Sequence, residues 1–93
     1  MSHPLGPLAH NLTAYAIYAT AQAEMRRAYA LIDRGEYLAA AAEIDSAAHA
    51  AEVLAHATEE LDTRRSARWL TVTAARRRFA EQARLHAGTA LAA

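Results

Sequence analysis

Between Pro7 and Gly88 the chain contains a single glycine, Gly35, and no proline. Glycine admits left-handed backbone and proline removes an amide donor, so these two residues are the usual interruptions of a regular helix. Their near absence leaves one obvious place to reverse the chain. Twenty-seven of the 93 residues are alanine, the best intrinsic helix former. Long helices joined by few breaks are therefore what this chain can build.

Apolar spacing locates them. Ala14, Tyr18, Ala21, Met25, Ala28 and Ile32 recur at alternating intervals of four and three, the signature of one helical face, with Ile17 and Tyr29 at its edges. Asn11 or Thr13 can cap the start, and the spacing predicts a helix over residues 11–33. Asp33-Arg34-Gly35-Glu36 leaves room only for a tight reversal, so the next helix should lie antiparallel. Ala40, Ile44, Ala47, Ala51, Leu54, Thr58 and Leu61, flanked by Tyr37, Ala41 and Ala48, predict that helix over 36–61.

Continuing the second stripe past Leu61 would bury Arg65 and Arg68, whereas Trp69, Val72, Phe79 and Ala83 mark a face at a shifted phase. A break near residues 61–66, capped by Asp62, Thr63 or Ser66, gives a third helix over 64–87. The alternative is one helix of about fifty residues that packs against another chain. The expected fold is all-α: a single domain, 1–93, forming an antiparallel bundle of three long helices. Residues 1–10 are expected as an extended leader and 88–93 as a frayed tail.

A domain of this size buries only about 60–65% of its unfolded surface, and with no cysteine neither a disulfide nor a thiolate metal site can reinforce it. Self-association is expected on these grounds. Helix 1 carries a second, small-residue stripe that includes Ala16, Ala19 and Ala23. Helix 2 carries another that includes Ala42, Ala50 and Val53. These six residues are the candidate protein-binding face.

The first charged residue is Glu24, but the preceding run has no Lys or Arg and is interrupted by Pro4, Gly6, Pro7, His10 and Asn11, unlike a secretory signal. No stretch reaches the roughly 20 apolar residues of a membrane span, so a cytoplasmic protein without a membrane partner is expected. Arginine supplies all ten of the Lys and Arg positions, which together with the alanine content fits a GC-rich bacterial or phage genome.

Local likeness to a known repeat lies around the reversal. "RGEYLAA" places Gly35 at a turn, Tyr37 beside it and Ala40 at a small-residue position, with Ile44, Ala47, Ala28 and Leu31 at further matching positions. Residues 28–48 thus resemble the helical hairpin of the tetratricopeptide family. The resemblance implies a hairpin that takes part in protein binding. Glu24, Arg27 and Glu52 stand where the family prefers an aromatic residue, a leucine and a proline.

Charge is divided unevenly. Residues 1–61 hold three arginines against eight acids, net −5, and residues 62–93 hold seven arginines against two acids, net +5. Arg64, Arg65, Arg68, Arg76 and Arg78 fall on one side of helix 3 and form the candidate nucleic-acid surface, with Trp69 or Phe79 able to stack on bases. The whole chain is nevertheless neutral and carries no recognised reading motif, so pairing with the acids of helices 1 and 2 competes with that role.

On helix 2, His49, Glu52 and His56 share a side and are weak metal-ligand candidates, although the order is not the Glu-x-x-His of carboxylate-bridged bundles. There is no Gly-x-Ser-x-Gly, no glycine-rich phosphate loop and no His-Glu-x-x-His. A non-enzymatic chain without a cofactor is expected. Its expected role is binding to another protein or to itself, with nucleic acid as the alternative partner.

Overall fold

A computed structural model describes residues 3–92, with side chains through Thr89. Helices carry most of it: α1 (Leu12–Asp33), α2 (Tyr37–Thr58) and α3 (Thr63–Ala92), preceded by a single 3-10 turn at Gly6–Leu8.

Local chemistry sets each boundary. Asn11 Oδ1 accepts the Ala14 amide at 3.0 Å and so satisfies one of the free donors that open α1. At the other end Gly35 adopts φ +75°. Its amide donates to the Ile32 carbonyl at 2.9 Å, and the Glu36 amide to the Leu31 carbonyl at 2.8 Å, the paired bonds of a Schellman cap.

α2 ends at Thr58 instead of near residue 61. The buried Thr58 hydroxyl donates to the Leu54 carbonyl at 2.8 Å, while the Thr58 carbonyl accepts the amides of Leu61 and Asp62 in a turn. Leu61, expected on the packing stripe, sits in that turn 60% exposed. Asp62 Oδ1 then accepts the Arg65 amide at 3.0 Å and caps α3, so α2 and α3 are separate helices. α3 continues past residue 87 through Gly88 to Ala92, helical where a frayed tail was expected. A mid-helix glycine costs only about 1 kcal/mol relative to alanine, too little to end a helix flanked by better formers. Ala93 lies outside the described residues.

α2 is the central element. One buried line runs through Ala40, Ile44, Ala47, Ala51, Leu54 and Thr58, and a second through Ala41, Ala48 and Ala55. With two apolar faces, α2 packs along both neighbours, whereas α1 and α3 meet chiefly through long side chains. Tyr18 lies 6.2 Å edge-on from Trp69 and Tyr29 6.0 Å from Phe79, centroid to centroid. Cross-helix pairs join Glu24 to Ser46 and Arg27 to Glu43, then Glu52 to Arg77 and Asp45 to Arg84, so the partners run in opposite order along each pair of helices.

The buried line of α3 comprises Ser66, Trp69, Thr73, Ala80, Ala83 and Ala87. Val72 and Phe79, read from sequence as core, are only half-buried beside it. The hydroxyls are satisfied internally: Ser66 donates to the Ala55 carbonyl at 2.8 Å and Thr73 to the Trp69 carbonyl at 2.9 Å. Small side chains on both helices let α2 and α3 pack closely.

The N-terminal segment is folded where an extended leader was expected. Leu5 is fully buried with Ala14, Leu54 and Trp69. Arg65 Nη1 donates to the carbonyls of His3 and Pro4 at 2.9 and 3.1 Å, clamping the segment to the start of α3. Gly6 has φ +52°, and a Cβ there would stand 2.1 Å from Arg65 Nε, so this close approach requires glycine.

Candidate interaction surfaces

The small-residue faces converge only in part. Ala16, Ala50 and Val53 line a shallow groove of about 340 Å³ between α1 and α2, together with Ile17, Thr20 and His49. Ala19, Ala23 and Ala42 are not among its lining residues. Glu24 accepts a hydrogen bond from the Ser46 hydroxyl across its polar end.

The arginine stripe is divided. Arg65 is tied to Asp62 at 3.3 Å and to the N-terminal carbonyls, leaving its side chain 14% exposed. Arg76 is half-buried and donates to the Ala47 carbonyl at 2.9 Å. Burial lowers its pKa from the ordinary value, against the pull of Tyr29 and Glu24, but a guanidinium stays protonated at any physiological pH. Arg64, Arg68 and Arg78 remain exposed, without an ion pair among the described residues. Trp69, offered as a stacking platform, is buried.

The other arginines of α3 meet acids. Arg77 reaches Glu52 at 3.2 Å, and Arg84 bridges Asp45 at 2.7 Å and Glu81 at 3.0 Å. Those two hydrogen bonds raise the Arg84 pKa. The uneven charge of the sequence is thus partly an internal match between basic α3 and acidic α2. Exposed pairs of this kind contribute little in water, so the match orients helices more than it stabilises them.

A further surface, missed in the sequence, lies along the seam between α1 and α3. Three depressions of about 260, 410 and 240 Å³ follow one another and share Val72 and then Phe79 at their boundaries. The first is bounded by Pro4, Arg65 and Arg68; the middle one by Met25, Arg26, Tyr29 and Arg76. The last runs from Ile32 to His86, whose ring stacks on Tyr37 at 5.4 Å. The available signal was the spacing Arg68, Val72, Ala75, Phe79, Gln82, His86, a four-three stripe beside the buried one. Its mixed polarity hid it.

Metal-ligand candidates do not gather. His49 Nδ1 lies 4.0 Å from Glu52, which also serves Arg77, and His56 faces Glu59 at 3.7 Å. Among the described residues no three His, Cys, Asp or Glu side chains come together. No helix of the described residues is long and apolar enough to cross a membrane. No family model, curated protein or solved structure matches this chain.

Proposed function

We propose that the chain is a small non-enzymatic protein-interaction module that presents helical faces to a partner and associates with itself. One observation carries this reading: α2 covers apolar faces of both neighbours, yet the seam between α1 and α3 leaves Tyr29 exposed and Val72 and Phe79 half-buried along an open groove. Side chains of this size along an open seam are typical of surfaces that bury area in a complex. The tetratricopeptide-like turn at Gly35 agrees with a binding role without specifying a partner.

Self-association is assigned to the groove of Ala16, Ala50 and Val53, where small side chains permit close helix approach. Sedimentation equilibrium across a wide concentration range should give masses above the 10.1 kDa of one chain. Ala16→Arg should return the protein to a monomer. A strict monomer at every concentration would remove self-association from the reading.

A second reading, nucleic-acid binding, rests on the exposure of Arg64, Arg68 and Arg78. It requires affinity that falls steeply with salt, and absence of any complex with DNA or RNA at low ionic strength would dismiss it.

A further inference from the structure

We infer that the seam between α1 and α3 is a binding groove for an acidic amphipathic helix of a protein partner, seated there as a fourth helix. This rests on the interaction reading above and names the partner's chemistry.

Shape comes first. Arg68, Val72, Ala75, Phe79, Gln82 and His86 recur at intervals of four and three on α3, the same period as its buried line. α3 therefore has two packing faces, and the second is only partly covered by α1. Between Arg68 and His86 the helix rises about 27 Å, the length of a helix of roughly 18 residues. The N-terminal segment at Pro4 closes one end, and the Tyr37–His86 stack closes the other. A helix with apolar residues at i, i+3, i+4 and i+7 is the ligand that such a trough accepts.

Charge then selects among helices. Arg26, Arg68 and Arg76 line the seam without an ion pair among the described residues, Arg65 there is already held by Asp62, and none of the described lining residues is acidic. Arg76 is the most telling, because its half-buried guanidinium has a backbone carbonyl for a partner and no carboxylate within ion-pair distance among the described residues. Half-burial disfavours the charge, the attraction of Glu24 acts only from beyond ion-pair distance, and an incoming carboxylate in direct contact offsets the remaining cost. A second copy of this chain fits poorly. Its α2 acids Glu43, Asp45 and Glu52 are held by Arg27, Arg84 and Arg77, and the apolar faces of α2 are already covered.

The test is selection from a displayed library of 18-residue helices with leucine along one face and Glu, Gln or Lys drawn at random beside it. Selected sequences should be rich in Glu, and amide shifts on binding should centre on Met25, Val72 and Phe79. Arg26→Glu with Arg68→Glu, both exposed positions, should turn the preference toward Lys while circular dichroism stays unchanged. Arg76→Met should weaken the Glu-rich helices by about tenfold or more without lowering the unfolding midpoint, a combination that a purely structural arginine would not give.

Selected helices without charge preference would overturn the inference. So would an oligonucleotide that saturates the seam where Glu-rich helices fail, or a dimer abolished by Arg68→Glu. Binding mapped to Ala16 and Val53 overturns the groove but leaves the interaction reading standing. Failure to select any helix from a strictly monomeric protein removes both.

Discussion

Of residues 3–11, Leu5 alone is fully buried, and it lies against Trp69, the only tryptophan of the chain. Truncating a buried leucine removes its transfer energy and leaves a cavity. Leu5→Ala should therefore cost about 2–4 kcal/mol in urea unfolding, with a red shift of the tryptophan emission as water reaches the indole. The neighbouring clamp responds to acid. Hydrogen bonds from the Arg65 amide and side chain hold the Asp62 pKa below the ordinary carboxylate value. A depressed pKa stabilises the fold while the carboxylate is ionised, above its unfolded value, and that contribution is lost as pH falls through the folded one. Thermal unfolding below about pH 4 should thus weaken the natural protein more than Asp62→Asn, which has no carboxylate to protonate.

Among the elements, α2 and α3 depend on smallness. Ala80 is fully buried in the cluster that contains Ile44 and Ala47, and overpacking such a site costs about 1–3 kcal/mol, so Ala80→Leu should lower the unfolding midpoint correspondingly. The same smallness decided what the sequence revealed. α1 and most of α2 were legible because Met25, Ile32, Ile44 and Leu54 mark their faces with clear hydrophobic contrast. The core line of α3 was legible only at Trp69 and Ala83, because Ser66 and Thr73 bury hydroxyls that bond to backbone carbonyls, and Arg76 occupies a core-spaced position. The N-terminal segment misled for another reason. Its proline and glycine content reads as loop, while the partner that folds it, Arg65, is far away in the chain. As for the sites, the arginines were visible but their ties were not, since pairing is decided by tertiary distance.

At the scale of the molecule, the protein measures 49 × 21 × 19 Å with a radius of gyration of 14.6 Å, against about 12 Å for a round domain of this length. An elongated body only about two helix-widths across either short axis has little interior beyond the faces its central element shares with its neighbours. Amide exchange should therefore be slowest along α2 from Ala40 to Leu54, where helices cover it on both sides, and faster in α1 and α3. Equal protection in all three helices would mean that opening is global and that α2 has no special place. The Arg65 clamp carries a separate consequence. Because it joins the start of the chain to a point 62 residues later, residues 3–9 behave as a tethered ligand held near their own site at an effective concentration of roughly millimolar order. A partner helix that reaches beyond Val72 toward Pro4 would compete with this built-in occupant, whereas one that stops short would leave it in place.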